Sequence, residues 1–377
     1  RQFCLARENP DSYRLAHVVS LGLSLATMLV TAVVLFSEMT YNTAAYDLEG
    51  TSFCNASLPN CSYYPVPYVP PNETHKLTCP AWFSVGERGQ KFALSDFALF
   101  AAVAYESANM MPRALEHYFP GWRVVYSHWE SESMQEQTVD WTTFFEYASP
   151  DNRTSVFAIR GTHTAIDALN DIVIWTPATV FQGFGLLGPA ILPPVEVSLA
   201  RLVRFFEGGF EYSTFFASLL KYVQRRMREE PGREFFVTGH SLGGGLAKLA
   251  AARAGLRAVT FMAPGLSATS HVIFGDGRGD VQLRGDELLT VQPSYDVVSR
   301  LDTQTGLVVP LECSKADSLY CHLIGPALCE IFRHCGSGRE GHTLEVPCGT
   351  CAEMPCPVAG AGTTPAPADW PWPAQHP

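Results

Sequence analysis

Residues 234–253 read EFFVTGHSLGGGLAKLAAAR. The first five, EFFVT, are an apolar, β-rich run of strand length. From Gly244 onward, GGLAKLAAAR has the small and straight-chain residues of a helix. Between them lies Gly239-His240-Ser241-Leu242-Gly243, a Gly-x-Ser-x-Gly pentapeptide. The pentapeptide alone recurs by chance, but its place between a strand and a helix gives it weight. The glycines leave room for a sharp, strained turn that lifts the Ser241 hydroxyl clear of a sheet. The helix start aims backbone N–H groups at the point where negative charge would develop. A phosphate-binding loop is the competing reading, and it lacks the required Gly-Lys-Ser/Thr ending.

Working outward, WRVVY (122–126), SVFAIR (155–160), AVTFM (258–262) and ELLTVQ (287–292) also read as strands. The run SDFALFAAVAYESANM, opened by Ser95 as N-cap, reads as a helix. So do the segments 195–206 and 212–228, the latter ending in KYVQRRMR before Pro231-Gly232. Strands alternating with helices predict an α/β fold around a mostly parallel sheet. No internal repeat is present.

A serine hydroxyl is a poor nucleophile until an imidazole takes its proton and an acid orients that imidazole. Behind a turn of this kind the partners follow in the order serine, acid, histidine. Asp296, in QPSYDVVSRLD, lies just beyond the strand ELLTVQ, at the sheet end where site residues gather. Asp302, Asp286 and Asp280 compete; the last two precede that strand in a Gly/Asp-rich loop. For the base, His322 is the first choice, because the adjacent Cys321 could fix its loop by a disulfide. His342, in GSGREGHT, is the second choice and His334 the third. An oxyanion hole needs two donors: Leu242 N–H follows the nucleophile, and Thr162 ends the run SVFAIRGT.

The remaining composition sets the compartment. Charged residues are only 17% of the chain and hydrophobic residues 47%, which excludes a disordered protein. A net charge of -11 with no basic run excludes a nucleic-acid partner. Leu15–Phe36 carries no charged residue and is long enough to cross a bilayer. Arg1, Arg7 and Arg14 precede it and Glu38, Asp47 and Glu49 follow, so the body of the chain is expected on the exoplasmic side. Sequons at Asn55, Asn60, Asn72 and Asn152 all lie beyond the span. So do all the cysteines except Cys4, which reads as a disulfide framework. Zinc is the rival reading for Cys348, Cys351, Cys356 and His342. Between Asp171 and Glu196 runs a charge-free segment broken by Pro177, Pro189, Pro193 and Pro194. A second span here would separate Thr162 from Ser241, so an apolar lid or lipid-docking flap fits better, with burial in the core as the alternative.

Taken in order, FAIRGTH, TGHSLGGGLAKLAA, FMAPG and SYDVVSRLD resemble a class 3 lipase, a fungal-lipase-like α/β-hydrolase, over roughly residues 95 to 345. That resemblance implies a triad of Ser241, Asp296 and a later histidine, an oxyanion hole of Thr162 and Leu242, and a lid after the RGT. Cys321-His322 followed by ALCEIFRHCG resembles the Cys-rich end of some members and favours His322. The short spacing from Asp296 to His322 departs from the better-known fungal enzymes. The expected plan is therefore a cytoplasmic flank (1–14), a transmembrane helix (15–36), a Cys-containing glycosylated connector (37–90), an α/β-hydrolase domain (91–356) and a Pro/Ala-rich disordered tail (357–377). The expected activity is hydrolysis of acyl esters of lipids at a membrane or lipid-droplet interface. No metal or organic cofactor is implied. A phospholipase, galactolipase or carboxylesterase, or an inactive binding module, are the alternatives on the same fold.

The cysteine positions generate a prediction by parity. Cys54, Cys61 and Cys79 form one group, and Cys313, Cys321, Cys329, Cys335, Cys348, Cys351 and Cys356 the other. Each group is odd in number, so complete pairing requires at least one bridge between them. Non-reducing peptide mapping is expected to recover a disulfide joining a peptide from before residue 80 to one from after residue 312.

Overall fold

The computed structural model describes residues 63–66, 83–84, 91–129, 142–161, 217–267, 269–270, 287–313, 316–337 and 344–347. All fall within the unit Glu49–Pro377. The segment Leu15–Phe36, the charge-free run after Asp171 and the tail lie outside the described residues, as do Thr162, His342, Asp280 and Asp286. Among the described residues no helix is long and apolar enough to cross a membrane.

The centre of the fold is a seven-stranded sheet. Its strands are β4 (Arg123–His128), β5 (Phe144–Ala148), β6 (Thr154–Ile159), β7 (Glu234–His240), β8 (Arg257–Phe261), β9 (Leu288–Pro293) and β10 (Leu307–Leu311). They lie side by side in chain order, from β4 at one edge to β10 at the other. Strands β6 to β10 run parallel, while β4 and β5 form an antiparallel edge. Each run read as a strand in the sequence is one of these. Strands β5 and β10 were not anticipated.

Both faces of the sheet are covered, as a parallel sheet requires. Alternate residues serve opposite cores. Val156, Ala158, Phe236, Val259 and Val291 face one cluster, with helices α1 (Leu94–Val103) and α2 (Met111–Tyr118). Phe157, Ile159, Phe235, Val237 and Ala258 face the other, with α3 (Ala217–Glu229) and α4 (Ser241–Ala254). Helix α1 is apolar nearly all round and buried along its whole length. Its start differs from the sequence expectation. Ser95 lies inside the helix rather than at its N-cap, and its hydroxyl donates to the Ser337 carbonyl at 3.1 Å. The Asp96 carboxylate caps instead, accepting the Ala93 N–H at 2.8 Å. Helix α4 stops at Gly255, whose φ of 69° is the left-handed conformation that glycine adopts without a Cβ clash.

After the sheet come α5 (Ser318–His322) and α6 (Ile324–Cys335); strand β11 (Leu344–Pro347) pairs antiparallel with β1 (Tyr63–Val66), and β2 (Phe83–Ser84) with β3 (Lys91–Phe92). A disulfide joins Cys313 to Cys321. Cys329 and Cys335 are also disulfide-bonded. Six residues apart on one helix, they are separated by about 9 Å of axial rise, too far to bridge each other. The sequon asparagine Asn152 is exposed in the turn between β5 and β6, at a φ of 58°.

A buried polar cluster centres on Glu146, in the middle of β5 and fully buried. It accepts from Tyr222 (2.7 Å), Ser155 (2.8 Å) and Arg226 (2.9 Å), with Arg233 at 3.5 Å. The cluster ties α3 to the sheet edge. Breaking a buried ion pair from one side leaves a charge uncompensated, at about 3–5 kcal/mol. Glu146→Gln is therefore expected to lower unfolding free energy by about 3 kcal/mol in urea titration, while the folded fraction keeps its activity.

Candidate active site

Strand β7 runs directly into α4 with Ser241 as the first helical residue. Ser241 has a φ of 58°, a left-handed conformation that a non-glycine residue adopts at a cost of about 1–2 kcal/mol. The turn is possible because Gly243 has no side chain. A Cβ there would lie 2.4 Å from the Ile159 carbonyl oxygen, inside the backbone at the end of β6. Strain and close approach together place Ser241 at the C-terminal end of the parallel strands.

Two further side chains converge on it. Asp296 follows β9 and is fully buried. His322 ends α5 and is nearly so. The His322 Nε2 lies 2.8 Å from Ser241 Oγ, and its Nδ1 lies 2.9 Å from Asp296 Oδ1. Since a carboxylate only accepts, Nδ1 carries a proton and Nε2 presents its lone pair to the serine hydroxyl. Asp296 also accepts the N–H of Val298 at 3.0 Å and of Ser299 at 3.1 Å. Burial alone would raise the Asp296 carboxyl. The facing His322 ring and the hydrogen bonds from His322, Ser299 and Val298 outweigh it and hold the carboxyl below its usual range.

The competitors sit elsewhere. Asp302 Oδ2 accepts the Thr269 N–H at 2.8 Å and Oδ1 the Thr303 N–H at 2.6 Å, so this aspartate organises a turn. His334 belongs to α6, and nothing of its side chain is described. Leu242 is the second residue of α4, where backbone N–H groups have no partner within the helix. Thr162 adjoins Gly161, at which the description of that loop ends.

Further side chains support the site that the sequence did not single out. Lys248, wholly buried in α4, donates to the Pro264 carbonyl and, at 2.9 Å, to Gln304 Oε1. Gln304 in turn donates to the carbonyls of Ala263 at 2.8 Å and Ser299 at 2.6 Å, bracing the loop that carries Asp296. His240, just before the nucleophile, hydrogen-bonds through Nε2 to the His322 carbonyl (2.7 Å) and through Nδ1 to the Tyr105 hydroxyl (2.7 Å). These contacts join residues far apart in the chain, so no local pattern announces them. The rival zinc ligands lie outside the described residues.

Residues 219–293 match the family model described as phospholipase-like, Tle-like phospholipase domain. That segment runs from α3 to the end of β9 and contains the whole strand–serine–helix turn. The mostly parallel sheet with helices on both faces is an α/β fold. Among solved structures, the lipase from Rhizopus microsporus var. chinensis is similar at 18% identity and a TM-score of 0.36, covering 60% of this chain and 75% of that one. Lip2 lipase from Yarrowia lipolytica is similar at 16% identity and a TM-score of 0.35, covering 59% and 77%. The native Rhizomucor miehei lipase propeptide complex matches at 14% identity and a TM-score of 0.35, covering 65% and 81%. A search of curated proteins found no match.

The site makes stability pH-dependent in a defined direction. Burial first, and then the neighbouring His322 ring, push the His240 imidazole down to about 3. Below about 6.5 the unfolded chain takes up a proton that folded His240 refuses, so stability falls as pH falls, by up to about 1.4 kcal/mol per pH unit. Asp296 adds to this lower down, because the stability from a depressed carboxyl is lost as pH falls through its folded value. Urea titrations at pH 7 and pH 4.5 are expected to show a pH-induced loss about 2 kcal/mol smaller in His240→Asn than in the wild type.

Proposed function

We propose that this lipase-like fold is a serine hydrolase that cleaves acyl ester bonds of lipids through Ser241, His322 and Asp296. The observation that carries the proposal is the continuous hydrogen-bonded chain from Ser241 Oγ through the His322 ring to Asp296, mounted on a strained turn at a helix start. In this mechanism Ser241 Oγ attacks the ester carbonyl carbon while its proton passes to His322 Nε2. Asp296 holds the ring through Nδ1 and offsets the charge of the imidazolium. The carbonyl oxygen becomes an oxyanion, stabilised by the N–H of Leu242 and by Thr162. Collapse expels the alcohol, which takes the proton from Nε2 and leaves an acyl-serine. Water, deprotonated by His322, attacks the acyl carbon, releases the fatty acid and restores Ser241.

Acylglycerols are the first reading of the substrate. Phospholipids are the second, favoured by the phospholipase description of the family model over residues 219–293. The charge pattern around Leu15–Phe36 supports a membrane-anchored protein with its catalytic domain on the lumenal or extracellular side.

The deciding experiment uses the full chain purified in detergent, a fluorophosphonate probe, and a panel of acylglycerols and phospholipids. The wild type is expected to label at Ser241 and release fatty acid. Ser241→Ala is expected to lose labelling and at least about 10⁴-fold in kcat. Hydrolysis that persists in Ser241→Ala would overturn the mechanism.

A further inference from the structure

Three elements that must hold register during acyl transfer meet at one buried ring. These are the loop after β6, the turn at Ser241 and the segment bearing His322. His240 is only 5% exposed. Its Nε2 faces the backbone carbonyl of His322, and a carbonyl can only accept, so Nε2 carries the ring proton. A neutral ring then has its lone pair on Nδ1, which accepts the Tyr105 O–H. The Tyr105 oxygen, having donated its proton, accepts the Gly161 N–H at 3.1 Å. The direction of every bond is thus fixed by chemistry: Gly161 N–H to Tyr105, Tyr105 O–H to His240, His240 Nε2–H to the His322 carbonyl.

Gly161 is seated against the same group. A Cβ there would lie 2.4 Å from the His240 carbonyl oxygen and 2.5 Å from the Tyr105 hydroxyl. The loop after β6 therefore packs on the His240 backbone while bonding, through Tyr105, to the His240 ring. On the other side, Cys321 is held to Cys313 by the disulfide, so the residue before His322 is fixed as its carbonyl is held.

We infer that Tyr105 and His240 are positioning residues that lock Gly161, at the end of β6, to the general-base segment, so that His322 stays in register with Ser241. This rests on the hydrolase reading above. The ring centroids of His240 and His322 are 5.1 Å apart. A neutral His240 can brace His322 without placing a second cation beside the imidazolium that forms in the reaction. Lysine or arginine at position 240 would satisfy the carbonyl but not that condition.

The test counts active sites with the fluorophosphonate and expresses kcat per labelled serine, which removes any loss due to misfolding. Tyr105→Phe keeps the ring and deletes the middle link. It is expected to lower kcat per site about 10- to 100-fold, with KM changed less than about threefold. His240→Leu is expected to fall at least as far. His240→Gln, whose amide N–H can reach the His322 carbonyl, is expected to recover most of that loss. A packing role alone would lower melting temperature and the number of labelled sites while leaving kcat per site unchanged. Tyr105→Phe within twofold of wild type per site, or His240→Gln no better than His240→Leu, would overturn the inference. Nitrogen-15 NMR of the wild type gives an independent reading. The Nε2–H tautomer of His240 is expected at pH 7, and either the Nδ1–H tautomer or the cation contradicts the chain of donors. Failure of the wild type to label at Ser241 would instead remove the hydrolase reading on which the inference stands.

Discussion

The left-handed backbone at Ser241 is the constraint on which the site depends. A strand must end and a helix begin at one residue, with no loop between them to absorb the change of direction. That geometry is unfavourable for any side chain, and it persists only because the surroundings over-determine it. Gly243 lets the first helical turn press on the end of β6, and β7 is fixed in the sheet by parallel neighbours on both sides. The parallel sheet is thus more than a scaffold. It supplies the rigidity against which the turn can be strained, and its strand ends gather Asp296 and Gly161 around the same hydroxyl.

What could be read from the chain follows from how far apart the interacting groups lie. The strands at 155–160, 234–238, 258–262 and 287–292 are buried on both faces, so each appears as a continuous apolar run. Strand β5 did not, because FFEYA carries Glu146, and only the fold brings Arg226 and Arg233 to compensate it. Strand β10 contains Pro310, which argues against a strand but is tolerated at the sheet edge where β10 lies.

The same distinction separates the site residues. Ser241 carries a local signature, and Asp296 was placed by its position just past a strand. The cysteine beside His322 singles it out, and the Cys313–Cys321 bridge fixes the segment that carries it. Asp296 and Asp302 are close in sequence and both buried, yet one faces an imidazole and the other closes a turn. Nothing local distinguishes them except distance from β9. Tyr105, His240, Lys248 and Gln304 support the site through contacts of long sequence separation, which a single sequence does not encode in any short pattern.

The pairing of β1 with β11 has a consequence for the order of assembly. Tyr63 is matched with Pro347, so one of the earliest described segments to be synthesised has as its partner the last. During translation β1 must wait, unpaired, while the entire seven-stranded sheet emerges and closes. Its exposed edge is short, four residues containing Pro65, which limits what it can recruit in the interval. Clasping of these two segments is therefore a late event, one that awaits the synthesis of Pro347.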